Sequence, residues 1–328
     1  MKAINFFILG LFFSIPSLVK SQETLPIYSD YLSDNVYLVH PAAAGFRDCS
    51  KIRLTGRTQW IGVNDAPSLQ TISIHSKFGE KAGLGFIVFN DKNGYHSQQG
   101  IQATYAYHLD FSREDIKQLS FALSLMTVSS KLDISEFVID DPIADQFVKS
   151  AGYFNADIGM AYHDVDFFSY FTAKNIMLSA RNLYNSDYES LNLRRYLLSI
   201  GYYFDYYKND ENIEFEPSIM IQYIERTHEK FVDFNMKVYK ELPAATMWVA
   251  FSYRRGFDGG DTQQLNYLTP IVGVNFEKYM ISYTYTKQSD EILFNGAGYH
   301  QITLGFDFGC FGPRKFWNER GGNTNRMF

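Results

Sequence analysis

Seven histidines, two cysteines and one compact group of acids are the side chains of this sequence best suited to carry chemistry. A metal site needs several His, Cys or carboxylate ligands converging on one ion, which usually leaves short, regular spacings. The histidines lack such spacings. His75, His108 and His300 fall on alternating, strand-like stretches, His96, His163 and His228 fall in turns or loops, and His40 precedes a proline. None stands four residues from another or beside a cysteine. Asp140-Asp141-Pro142 with Asp145 could gather calcium, but the ligand register of a calcium loop is missing, and a solvated acidic surface fits these residues better. The sequence has no Gly-x-Ser-x-Gly elbow and no phosphate loop. No enzymatic activity, cofactor or metal is expected.

The elements around these residues point to export and to strands. Met1-Lys2, the apolar run from Ile4 to Ile15 and then Val19-Lys20-Ser21 have the layout of a secretory signal peptide, assigned to residues 1–21. Beyond it no stretch approaches the roughly 18 apolar residues of a spanning helix. A membrane form of this chain is therefore a closed β-barrel, the other structure that satisfies its backbone in lipid. Aromatic residues make up 17% of the chain, yet mean hydropathy is -0.21. That pairing arises when apolar and polar residues alternate and Tyr and Phe form belts, as in an outer-membrane barrel. A soluble β-sandwich or lectin-like protein is the alternative on composition alone. The formal charge of -6 argues against a nucleic-acid partner, which calls for a concentrated basic face.

Alternating runs are expected to form strands at 50–60, 67–78, 81–90, 98–110, 117–130, 151–162, 166–176, 193–207, 212–224, 230–240, 245–256, 266–276, 278–286 and 298–309. In the run 98–110, Ile101, Ala103, Tyr105, Tyr107 and Leu109 share one face, and Gln102, Thr104, Ala106 and His108 the other. Asn90-Asp91-Lys92-Asn93-Gly94 supplies the turn before it. Connections alternate between tight ones, such as Gly79-Glu80 and Glu277, and mostly longer ones, such as 91–97, 131–150 and 177–192. A sandwich has no reason to hold that asymmetry in register, whereas outer-membrane barrels carry short periplasmic turns and longer outer loops. The fold class is thus all-β, a transmembrane antiparallel barrel of about 14 strands, located in the outer membrane.

The domain layout follows: a signal peptide at 1–21, an N-terminal periplasmic or lumen segment at 22–49, the barrel at 50–310 and a periplasmic basic tail at 311–328. In the second piece Ile27, Tyr28, Tyr31, Leu32, Asn35 and Val36 recur at helical spacing before Pro41-Ala42-Ala43-Ala44-Gly45 breaks the pattern. Gly83 and Gly85, which only weaken a soluble strand, suggest close packing against a lumen element, with Pro41 to Gly45 as the candidate. Cys49 precedes the first strand and Cys310 follows the last, so both sit at the periplasmic ends of strands that adjoin in a closed barrel. They are either a disulfide across that seam or two free thiols. Arg53, Arg57, Arg194, Arg195, Lys237, Arg254 and Arg255, with Asp157, Asp205, Glu214, Glu216 and Asp233, lie mostly on or beside polar faces, as lumen packing requires. A catalytic dyad assembled across the lumen, as in outer-membrane phospholipases, would leave no mark in the spacing.

The barrel core resembles the PorP/SprF family of type IX secretion outer-membrane proteins. The likeness rests on Gly83-Leu84-Gly85-Phe86 through Asn90-Asp91, Gly94, and Tyr105-Ala106-Tyr107-His108-Leu109. Tyr31 through Asn35 to His40-Pro41-Ala42-Ala43-Ala44-Gly45 resembles its N-terminal signature, a Tyr-containing segment leading to Asn-Pro-Ala-Tyr-Ala-Gly. Thr58-Gln59-Trp60 is similar to its Asn-Gln-Trp, Ser135-Glu136-Phe137 with Asp140-Asp141 to the start of its long outer loop, and His300 to Phe306 to its closing strand. Here His40 replaces the usual Asn, Val36 a frequent Pro and Ala43 a Tyr, and the tail lacks a Cys-Pro ending. The resemblance implies a barrel of the fatty-acid-transporter type. It also implies a non-enzymatic role in exporting a partner, or holding it at the surface, such as a gliding adhesin with a C-terminal secretion domain. Periplasmic secretion components and outer-membrane lipid are the other expected partners. Glu136, Phe137, Asp140, Asp141 and Asp145 are candidates for a partner-facing outer loop. The alternative function is passive transport of hydrophobic small molecules.

Overall fold

Side chains that alternate between polar and apolar suit a sheet with water-like surroundings on one face and hydrocarbon on the other. The computed structural model describes residues 32–46, 49–59, 66–111, 117–132, 150–177, 194–208, 211–257, 266–289 and 298–310. Strands β1 (Ser50–Gln59), β2 (Ser68–Phe78), β3 (Ala82–Asn93), β4 (His96–Asp110), β5 (Lys117–Leu132), β6 (Ser150–Asp164) and β7 (Phe167–Lys174) pair in chain order. They are followed by β8 (Arg195–Tyr202), β9 (Phe204–Lys208), β10 (Glu211–Ile224), β11 (Lys230–Glu241), β12 (Thr246–Gly256), β13 (Asn266–Phe276), β14 (Tyr279–Ser289) and β15 (Gly298–Phe308). β8 and β9 lie in line against β10, so the wall is 14 strands around. β8 ends where Tyr202 meets Phe167, the first residue of β7, and the chain runs on as β9 against β10. All pairings are antiparallel, and β1 pairs with β15 from Ser50↔Phe308 to Gln59↔Tyr299, which closes the sheet.

The polarity is inverted relative to a soluble protein. Leu123 is 48% exposed on the outer face, whereas Ser124 beside it is fully buried on the inner one. Along the seam Leu54, Ile302 and Leu304 point outward, while Arg53, Thr55, Arg57, Gln301 and Thr303 are buried inside. Aromatics mark both ends of the outer face: Phe78, Phe111, Phe204, Phe276 and Tyr279 near one, Tyr95, Phe154 and Phe257 near the other. This is the layout of a barrel whose outer solvent is lipid. No helix among the described residues is long and apolar enough to cross a membrane.

Three expectations need correction. The polar run Asn90 to Asn93 is strand, not turn: β3 continues to Asn93, opposite His96, and the reversal is Gly94-Tyr95 alone. Gly94 supplies the left-handed backbone of that reversal (φ 57°), and the Asn90–Gln99 amide pair (3.1 Å) shows how polar residues remain strand-paired beyond the apolar band. His96 and His163 likewise lie on strands rather than in turns. Arg255 faces outward, because alternation places its neighbours Arg254 and Gly256 inside.

The seam is closed by more than backbone. Arg53 donates to Asp307 (2.6 Å), Arg57 to Gln301 (2.8 Å), and the hydroxyls of Thr55 and Thr303 meet at 3.3 Å. At the tight-turn end Cys49 and Cys310 form a disulfide that spans a sequence separation of 261 residues. Replacing both with Ser is expected to cost roughly 2–5 kcal/mol of stability. Heat-denatured protein should also migrate faster in a gel without reductant than with it, and equal mobility would contradict the bond.

Candidate functional site

The helical periodicity before Pro41 shortens in the structure to α1 (Val36–Val39), followed by a 3-10 turn over Pro41–Ala43. All four residues of α1 are buried, so the expected amphipathic face is absent over that turn. The cause is position. Residues 32–46 lie within the barrel and touch lumen-facing side chains of most of the wall.

Each polar group of this segment meets a partner on a different strand. Asp34 adopts a left-handed backbone (φ 56°). Its carboxylate accepts from Lys237 on β11 (2.7 Å) and Asn275 on β13 (3.3 Å), and its carbonyl accepts from Arg53 on β1 (3.1 Å). The Lys237 ammonium rests 4.1 Å from the Trp248 ring and 4.8 Å from the Tyr239 ring. Ser73 on β2 donates to Asn35, Tyr37 donates to Thr104 on β4 (2.9 Å), and Lys174 on β7 donates to the Leu38 carbonyl. His40 bridges Thr172 and Ser199 through its two ring nitrogens, both at 2.9 Å, and stacks on Tyr170. At the far end the Gly45 amide donates to His75 Nδ1, and His108 Nε2 donates to the Ala44 carbonyl.

Electrostatics agree with this docking. Burial alone would raise the Asp34 carboxyl, but Lys237, Lys51 and Arg53 outweigh it and hold the group at about 2. Burial, aided by the Lys174 charge, holds the His40 imidazole neutral, at about 3. Both groups therefore favour the docked segment at neutral pH. The His40 contribution fades as pH falls from its unfolded value near 6.5 toward 3, and the Asp34 contribution as pH falls from 3.8 toward 2.

Glycines set how closely the segment approaches the wall. A methyl group on Gly83 would overlap the Ala44 carbonyl, one on Gly45 (φ 68°) would overlap Gly83, and one on Gly85 would overlap the Tyr37 ring. Pro41 packs elsewhere: its Cγ would lie 2.9 Å from a methyl on Gly159 of β6. Elsewhere in the lumen Arg254 makes a two-pronged pair with Asp233 (2.6 and 2.7 Å), and Tyr239 donates to Glu216 (2.5 Å). Breaking a buried pair of this kind by removing one partner costs about 3–5 kcal/mol.

Arg53, Lys237, His75 and His108 bond to the segment, whereas Arg254–Asp233 and Tyr239–Glu216 pair strand to strand within the wall. Among the described residues no three or more His, Cys, Asp or Glu side chains gather as a metal site would require. Glu136, Phe137, Asp140, Asp141 and Asp145 lie outside the described residues, as do the stretches 1–21 and 311–328. Asp34 and Tyr37 were not legible as anchors in the sequence. The available signal was that Asp34 is the sole charged residue between Leu32 and Phe46.

A closed, lipid-facing barrel with a polar, internally packed lumen defines an outer-membrane β-barrel protein. Residues 20–306 match the family described as type IX secretion system membrane protein PorP/SprF. The chain belongs to that family, and so is a membrane component of type IX secretion, located in the outer membrane. Among solved structures, it is similar to the TodX monoaromatic hydrocarbon channel deltaS2 mutant (9% identity, TM-score 0.48, covering 85% of this chain and 94% of that one). It is also similar to the CymD monoaromatic hydrocarbon channel (8%, TM-score 0.45, covering 82% and 90%) and to the KdgM porin (10%, TM-score 0.33, covering 79% and 99%). A comparison with curated proteins found no match.

The glycine contacts yield a direct test. Gly83→Val should destabilise the docked segment by about 1–3 kcal/mol through overpacking, whereas Gly56→Val on β1 meets open space. The first variant should give several-fold less heat-modifiable, assembled barrel than the second. Equal yields would refute the packing.

Proposed function

We propose that this barrel supports export, surface attachment or both for a secreted partner protein, such as a gliding adhesin bearing a C-terminal secretion domain. The partner meets the end that carries the longer loops, including Glu136, Phe137, Asp140, Asp141 and Asp145. Periplasmic secretion components meet the tight-turn end and the basic tail 311–328, after the leader 1–21 has been removed. Membership of the PorP/SprF family across residues 20–306 carries this reading. The lumen is consistent with it. The wall holds the segment 32–46 through ion pairs and hydrogen bonds from β1, β2, β4, β7, β8, β11 and β13, an arrangement suited to a scaffold. A conduit for hydrophobic small molecules calls instead for an apolar lining along the path, and the lumen faces of β1 and β15 carry Arg53, Thr55, Arg57, Gln301 and Thr303.

Deletion of the gene should abolish surface display of one or more secreted proteins while outer-membrane integrity, followed by detergent sensitivity, stays normal. Restoring the gene should restore display. Unchanged surface proteins in the deletion strain would refute the proposal.

A further inference from the structure

Where the outer face of β10 to β14 leaves its apolar band, the residues change in kind. Ile221, Phe234, Phe251 and Leu268 are exposed there as membrane contacts. Above them, toward the longer loops, the same alternation turns out Lys230 of β11, Arg255 of β12 and Lys287 of β14, all exposed. The register sets their spacing. Lys230 lies between Tyr223 of β10 and Phe257, whose amide donates to the Lys230 carbonyl. Arg255 is opposite Val232, one diagonal from Lys230, which puts their Cα atoms about 7–8 Å apart. Lys287 is in line with Leu268 and Tyr253, so strand spacing and rise place it about 12 Å from Arg255. Aromatic rings fill the intervals. The Arg255 guanidinium lies 5.3 Å from the Phe257 ring, Tyr253 donates to Asn266 (3.3 Å), and Tyr223 bonds to His228 (3.0 Å). No acidic side chain among the described residues faces outward at this end of β11 to β14.

We propose that Lys230, Arg255 and Lys287 form a site for the phosphate-bearing headgroup of an outer-leaflet glycolipid. Cations at a bilayer surface attract anionic headgroups. A phosphate is the matching charge, because it accepts from guanidinium and ammonium donors together. The separation of the three cations suits a headgroup that carries more than one phosphate. The rings of Tyr223, Tyr253 and Phe257 stand at headgroup level, where aromatic side chains settle in membrane proteins. Beneath Arg255 the exposed column Tyr253, Phe251, Val249 and Met247 continues the site into the surface that meets acyl chains. The longer loops mark this end as the outer one, which selects the outer leaflet. The site rests on the lipid-facing wall alone and is independent of which protein the barrel serves.

Native mass spectrometry of the full-length protein in mild detergent, titrated with bisphosphorylated lipid A, tests it. The lipid should bind, and the same lipid stripped of phosphate should bind about tenfold more weakly. The triple variant Lys230→Gln, Arg255→Gln, Lys287→Gln should lose about as much affinity while keeping heat-modifiable mobility. Lys287→Gln alone should weaken binding about threefold, and it carries the test if the triple variant assembles poorly. The charge-preserving pair Lys230→Arg, Lys287→Arg should bind like the unaltered protein. Lys240→Gln, at the opposite end of β11, should have no effect. Equal affinity for the lipid with and without phosphate would overturn the headgroup. Undiminished binding by the glutamine variants would overturn the site, and an equal loss in Lys240→Gln would overturn its location.

Discussion

Closure of the sheet is the constraint on which everything else in this protein depends. In hydrocarbon no water is present to satisfy a free strand edge, and each unpaired peptide group there costs several kcal/mol. The first and last strands must therefore find each other across almost the whole chain. The register from Ser50↔Phe308 to Gln59↔Tyr299 does this, and side chains reinforce it with an ion pair, a guanidinium–amide bond, a hydroxyl pair and a disulfide. Arg53 is the most economical of these. One guanidinium binds Asp307 across the seam and the Asp34 carbonyl inside the lumen, so closure and lumen packing share a residue.

Closing a sheet with its apolar face outward leaves a polar interior that must also be filled. A lumen lined by Arg53, Lys237, His75 and His108 is costly if dry and unpaired, because buried charges and donors need partners. The segment 32–46 supplies many of them. It brings one charged residue and a series of backbone carbonyls and amides to positions where lumen side chains point. Its apolar residues, Val36, Leu38, Val39 and Ala42 to Ala44, fill space between those polar contacts and join a cluster with Ala106, Ala161, Phe168 and Leu197 from the wall. Small residues recur where the backbones approach, which is why glycine at 83, 85 and 159 faces the segment.

How much of this could be read from sequence varied with the range of the interaction. All 14 strand positions were legible, because period-2 alternation is a local signal and a lipid-facing strand shows it cleanly on both faces. The run Asn90 to Asn93 misled for a physical reason: turn-favouring residues also serve in a strand once it rises beyond the apolar band, and composition does not separate the two. Leu197 and Tyr203 broke the polar pattern of the inner face of β8, and the structure shows why, since both join the lumen cluster with the segment. Anchors such as the Asp34–Lys237 pair were out of reach. Their partners stand 203 residues apart, and no local pattern marks which lumen cation receives a lone acid. Family resemblance placed the chain in type IX secretion, a conclusion that alternation and composition could not have supplied.

The central claim is that alternate residues of each strand face lipid and lumen, and β4 offers the most direct test of it. Single cysteines carrying a fluorophore would be placed in turn at positions 101 to 107 of the full-length protein, in bilayers containing brominated lipids. The account predicts strong quenching at Ile101, Ala103, Tyr105 and Tyr107, and little at Gln102, Thr104 and Ala106, following the exposed and buried faces of the strand. Uniform quenching along the stretch, or none at any position, would contradict it.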